Sequence, residues 1–344
     1  MQVTKRTGRN LNFALLTGWR AQRRRNHGMY DAETLATFAA AWRKSGSAAD
    51  FLAYTLFRRD LGKMLPLLWV APLTSSLIDL SYKRRCLALG LIAERAPQVL
   101  PGILAEWLAD AATVLPALAA RFTGTSGSSV LTQVDAKQHE WRVGFTEWLA
   151  ARRLAGRVCV LGNAAALLGS GMGKAVDACD AVIRFNHFGA GQSLSKDIGN
   201  RTDVWVVSPG YKGPTPQDVA WAVMTGPDMR FRQQDWRAVM PLLSRGVPVL
   251  TIPLPLWRQL VVSLQAPPSA GVLTLRWLAE MNPVAAWQGI CVAGIGTGLT
   301  KDGRYHAVLA RHIASTRHRW ERERILVDLW REQGLSPCEP GLGA

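Results

Sequence analysis

Val158-Cys159-Val160-Leu161-Gly162-Asn163 and Ala181-Val182-Ile183-Arg184-Phe185-Asn186 are two mainly apolar runs, each closed by a residue suited to a turn. Short apolar runs bounded by turn residues read as buried strands of an α/β sheet. Between them lies the glycine-rich bend Gly169-Ser170-Gly171-Met172-Gly173. In such sheets the carboxyl ends of the strands form the ligand crevice, which puts Asn163 and Asn186 at its lip. A primary amide donates and accepts at once, and this suits the sugar, phosphate and base edges of a nucleotide. Further on, Pro268-Ser269-Ala270-Gly271 opens a helix, and another apolar run ends at Ala293-Gly294-Ile295-Gly296.

Working outward, strands are expected at 158–162, 181–185, 203–207, 220–225, 247–252 and 289–294, alternating with helices. That alternation implies a Rossmann-like, mostly parallel sheet with helices on both faces. Residues 31–122 show helical spacing instead, as in Leu35, Phe38 and Trp42, or Leu100, Ile103, Leu104, Trp107 and Leu108. The expected division is a basic N-terminal segment 1–30, an all-helical region 31–122, a linker 123–135, an α/β domain 136–335 and a tail 336–344. The linker rests on the small polar run from Thr123 to Ser129. Met64–Leu80 is the longest apolar run, but it contains Pro66, Pro72 and Asp79. It is shorter than the roughly 20 residues a spanning helix needs and reads as a buried core helix.

The chain has 344 residues, with Lys+Arg 41 against Asp+Glu 25 and a net charge of +16. This surplus favours anionic partners without choosing among nucleic acid, an anionic membrane and a nucleotide-sugar. Before Asp31 the only formal charges are Lys5, Arg6, Arg9, Arg20, Arg23, Arg24 and Arg25. The apolar piece Leu11–Leu16 is too short for a signal peptide. The five cysteines are odd in number and scattered, which does not read as a disulfide framework. Familiar nucleotide loops fail as well. A Walker loop would need glycine at Leu168 and Ser or Thr at Ala175, and a dinucleotide fingerprint would need further glycines soon after Gly162. No metal signature is read. Asp177 and Asp180 are taken to flank a turn.

The order and spacing of Val-Leu-Gly-Asn at 160–163, Arg-Phe-Asn at 184–186, Asp-Ile-Gly-Asn-Arg-Thr-Asp at 197–203, Pro268–Gly296 and His318 with Glu323 resemble the sialyltransferase family of animal type. The first three runs match its long motif, Pro268–Gly296 its short motif and the His–Glu pair its last. The resemblance implies a GT-A-like variant of the fold and inverting transfer from a CMP-sialic acid donor to a glycan or glycolipid acceptor, with no metal and no cofactor. It implies donor-nucleotide contacts at Asn163, Asn186, Ser269, Gly271 and Gly162, with His318 as general base. Arg184, Gly294 and Glu323 are implied as motif support. The third motif is matched most nearly by Arg304-Tyr305-His306, which makes His306 the partner of the donor phosphate and His312 its rival.

On residue chemistry alone, either asparagine also suits a turn and Ser269 a helix cap. His318 and Glu323 also suit the solvated face of a charged helix. Histidine fits a base because its ordinary pKa, about 6.5, leaves it neutral yet basic near pH 7. Two family positions differ: Ala164 stands for the usual serine and Ala270 for the usual threonine. The family's disulfide would join Cys159 to a cysteine in the helix after Gly271, which has none, and no membrane anchor is read. These departures imply a bacterial, cytoplasmic version, peripheral at the inner membrane through its basic N-terminus. Two alternatives stand beside this reading. One is a catalytically silent CMP-binding relative. The other is a basic nucleic-acid-binding protein, which the core-like spacing of the tryptophans disfavours.

Overall fold

The computed structural model describes residues 8–121, 129–188, 194–232, 235–296 and 314–339. Its centre is a parallel sheet of seven strands in the order β5-β4-β3-β2-β1-β6-β7. The strands are β1 Val158–Leu161, β2 Ala181–Phe185, β3 Val204–Val207, β4 Trp221–Met224, β5 Val249–Thr251, β6 Ile290–Ala293 and β7 Ser336–Pro337. β1 to β6 fall where apolar runs end in turn residues. They are buried almost throughout, as a sheet covered on both faces requires. The chain steps outward from β1 to β5 and then returns to lay β6 on the other side of β1. That reversal makes the carboxyl ends of β1 and β6 a topological switch point, where open α/β sheets bind ligands.

One face of the sheet, with Val158, Val160 and Ile183, packs against the helices Gln138–Ala155 and Ala270–Glu280. Phe145 of the first stacks on Trp277 of the second, their ring centroids 5.2 Å apart. The opposite face carries Cys159, Leu161, Val182, Cys291 and Ala293 and forms a smaller core with Leu167, Val176 and Ile198.

The run at 197–203 mostly holds backbone. Asp197 accepts from the Gly169 and Gly171 N–H groups at 2.8 and 2.9 Å, and Asp203 accepts from Val182 N–H at 2.8 Å. Asp177 accepts from Asn200 and Arg201 N–H, and Asp180 from Arg157 N–H, which fits their reading as turn residues.

The all-helical region precedes the sheet and has its own core, including Leu73, Leu89, Ile92 and Leu115. It is fastened to the sheet by buried ions. Asp60, at the end of the helix Ala48–Asp60, lies 3.3 Å from Arg25 and 3.1 Å from Arg232. Arg59 meets Glu94 at 2.6 Å and donates to the carbonyl of Pro227, beyond β4. Gly90 approaches so closely that a Cβ there would stand 2.3 Å from the carbonyl oxygen of Phe231.

Several expectations need correction. The linker at 123–135 is helix from Ser129, which opens Ser129–Ala136. Met64–Leu80 is not one buried helix but a short helix, Val70–Ser75, between two 3-10 turns, the first starting after Pro66, with Leu67, Leu68 and Ile78 exposed. The basic segment 1–30 contains a helix, Gly8–Asn26, against Ala32–Ser45. Its Arg24 and Arg25 are committed to Asp31, Glu33 and Asp60. The tail 336–344 begins with β7, an edge strand too short to leave a periodic signal. No helix is long and apolar enough to cross a membrane among the described residues.

Candidate active site

The switch point opens into a cleft of about 380 Å³. It gathers Gly162, Asn163, Asn186, Ser269, Gly271, Gly294, His318 and Glu323 from segments far apart in the chain. Its size falls in the ordinary range for small-molecule sites, about 300–1,000 Å³. The floor depends on glycine. A Cβ on Gly162 would stand 2.1 Å from the Gly294 carbonyl oxygen, so the ends of β1 and β6 meet only because that side chain is absent. Gly294 has φ +66, a left-handed conformation that glycine adopts without strain.

The two asparagines are oriented by backbone. The Asn163 Nδ2 donates to the carbonyls of Phe185 and His187 at 2.9 and 3.4 Å, which leaves Oδ1 as an acceptor. Asn186 does the reverse. Its Oδ1 accepts from Ser208 N–H at 2.8 Å, which leaves Nδ2 as a donor. Carbonyls cannot donate and N–H groups cannot accept, so neither amide can be flipped. Asn186 has φ +48, and three bonds hold it there, since its N–H donates to Val206 and its carbonyl accepts from Trp205 Nε1. A strained residue fixed by its surroundings at a cleft is a mark of function.

Ser269 caps the helix Ala270–Glu280, its Oγ accepting from Val272 N–H at 3.4 Å. The N–H groups of Ala270 and Gly271 have no partner among the described residues, and a helix start of this kind favours an anion. Glu323 is buried and accepts from Ser269 N–H at 2.7 Å. Burial pushes its carboxyl up to about 7. The His318 Nδ1 lies 2.9 Å from the carbonyl oxygen of Pro267, which can only accept. Nδ1 therefore carries the proton, and Nε2 keeps a lone pair with no protein partner among the described residues. Burial lowers the His318 pKa below its usual value.

His318 is not on a helix as its charged surroundings suggested. It lies in a turn before Trp320–Glu332, where Ser315 takes Arg317 N–H on its hydroxyl and Trp320 Nε1 on its carbonyl. Ser269 and Pro267 thus connect Glu323 and His318, whose Oε1 and Nδ1 stand 4.0 Å apart. Arg184 faces away from the cleft. It is fully buried behind β2 and donates to the carbonyls of Arg201 and Ile198. His306 and His312 lie outside the described residues. The sequence reading missed Ser208, Tyr211, Ser315 and Trp320, which also line the cleft. Ser208-Pro209-Gly210 follows β3 as Gly162-Asn163 follows β1, so the same strand-end rule could have found that corner.

A parallel α/β sheet with a polar cleft at its switch point defines a ligand crevice of the open α/β class. Residues 146–230 match the family described as glycosyltransferase family 29 (sialyltransferase), and this identifies the segment as one of the sialyltransferase family. The structure is similar to that of a mammalian sialyltransferase, at 18% identity and TM-score 0.38, over 52% of this chain and 66% of that one. A second structure is a mammalian sialyltransferase in complex with Gal-beta-1-3GalNAc-ortho-nitrophenol, at 19% identity and TM-score 0.39, over 54% and 70%. No curated protein matches the chain.

Proposed function

We propose that this chain is a glycosyltransferase that moves sialic acid, or a related keto-sugar acid, from its CMP ester to a glycan or glycolipid hydroxyl, with inversion and without a metal in the cleft. The observation that carries the reading is the unprotonated Nε2 of His318 in the same cleft as the two backbone-oriented asparagines. Cleavage of the donor bond develops positive charge at the anomeric carbon and negative charge on the leaving phosphate. The free N–H groups at Ala270 and Gly271 suit that phosphate. Asn163 Oδ1 and Asn186 Nδ2 offer the nucleotide one acceptor and one donor. His318 takes the acceptor's proton as its oxygen attacks. His306 is assigned to the phosphate on the family motif alone.

Among the described residues the cleft has one carboxylate, Glu323, and it is engaged by Ser269. That donor set does not suit the hard, oxygen-loving ions that clamp phosphates. Incubation with CMP-sugars should therefore release CMP equally with and without EDTA. Loss of release on chelation, restored by Mg²⁺ or Mn²⁺, would overturn metal independence, and CMP binding without release would favour the silent relative. Asn163→Ala and Asn186→Ala should each weaken CMP binding by about 0.5–1.5 kcal/mol. Calorimetry checks this, and unchanged affinity in both variants would mean that the nucleotide sits elsewhere.

Nucleic acid is no part of the proposal. Trp141, Trp205, Trp236, Trp257, Trp277, Trp287 and Trp330 are all buried and offer no stacking surface. Cytoplasmic residence, peripheral at an inner membrane, is part of it. Trp19 and Leu16 are exposed on the basic helix, with Arg23 over the Trp19 ring. Each unpaired basic residue near an anionic surface contributes about 1 kcal/mol. The protein should co-sediment with anionic vesicles at low salt and be released at high salt. Absence of binding at low salt would end that part of the reading.

A further inference from the structure

Cys159, Cys179, Cys291 and Cys338, scattered in sequence, converge in space. Their Sγ atoms all lie within 4.8 Å of one another, and all four residues are buried. Cys159 and Cys291 face each other in register on β1 and β6. Cys179 stands in the turn before β2, and Cys338 follows β7, its N–H bound to the Val292 carbonyl at 3.0 Å. Four thiolates bound to one tetrahedral ion at about 2.3 Å stand about 3.8 Å apart, so a small contraction of this quartet would suffice. A multi-iron cluster would need a wider cage.

A second observation comes from the same face of the sheet. Arg184, the register partner of Leu161, is buried with no carboxylate partner among the described residues. One of its nitrogens, Nη1, has no hydrogen-bond partner among the described residues. A buried cation left unpaired is costly. Four thiolates around a divalent ion carry two net negative charges and would supply the counter-charge.

We propose that Cys159, Cys179, Cys291 and Cys338 together hold one tetrahedral zinc-class divalent ion as a closed structural site. Binding exchanges the four thiol protons for the ion, with no redox change. The ion would join β1, β6, the entry to β2 and the segment after β7, and so the two strands whose ends form the glycine floor of the cleft. Four protein ligands leave no open position, so the site has no part in the transfer chemistry.

The test is elemental analysis of tag-free, full-length protein prepared under reducing conditions from zinc-supplemented cells. The expected result is about one zinc per chain, replaceable by cobalt(II) with the intense visible bands of a tetrahedral thiolate site. Cys338→Ser, at the margin of the quartet, should lose the ion, whereas Cys86→Ser, a buried cysteine outside it, should keep it. Protein with no metal and all five thiols free would overturn the proposal. So would a Cys159–Cys291 disulfide found by mass spectrometry, or full zinc content in Cys338→Ser.

Discussion

His318→Ala should bind CMP about as tightly as the parent but transfer the sugar at least about a hundredfold more slowly, the low end of what a positioned general base contributes. The variant leaves Asn163, Asn186 and the helix start at Ala270 in place, so binding and transfer should separate. The pH profile gives an independent reading. Burial lowers the His318 pKa, so the neutral base survives further into acid than an exposed histidine would. The acid limb of the rate should therefore lie below the usual value near 6.5. Glu323, held up at about 7 by burial, is mostly protonated across that limb and is then a neutral neighbour. Glu323→Gln should consequently leave the limb where it is. Near-parental transfer by His318→Ala would move the base elsewhere, with His306 first in line.

Asp60→Ala should destabilise the protein by about 3–5 kcal/mol, the usual cost of removing one partner from a buried ion pair. Asp60 is 2% exposed and serves both Arg25 and Arg232. Arg232 is also buried deeply enough for desolvation to lower its pKa despite Asp60. Without the carboxylate, two guanidinium groups would face each other across the joint between the helical region and the sheet. Chemical denaturation measures the loss. A change below about 1 kcal/mol would mean that water reaches the pair and screens it as at a surface.

Much of the sheet could be read from the sequence because its strands are short apolar runs that end within two residues of glycine, asparagine, serine or proline. The crevice residues followed, since strand ends in such a sheet converge by topology. What escaped the reading depends on contacts distant in sequence. β7 is two residues of edge pairing, and its neighbour Cys338 approaches Cys159 only after the sheet has assembled. The charge pattern around His318 suggested that it shares one charged helix with Glu323, but no capping residue marked its start. The turn at Ser315 and the bond to Pro267 move His318 off it. Arg184 sat in a family motif and was grouped with the site, although its strand turns it to the opposite side.

The placement of β6 beside β1 also orders events during synthesis. The helical region has its own core, made of residues close in sequence, and such contacts form early. β1 to β5 can pair outward in turn as they emerge. The cleft cannot close until β6 arrives to complete the Gly162–Gly294 contact and the segment with His318 and Glu323 settles on Ser269. From the emergence of β1 until β6 arrives the apolar edge of β1 is therefore unpaired, a surface that favours association between nascent chains. Completion of the cleft correspondingly falls to the segments that carry β6, His318 and Glu323.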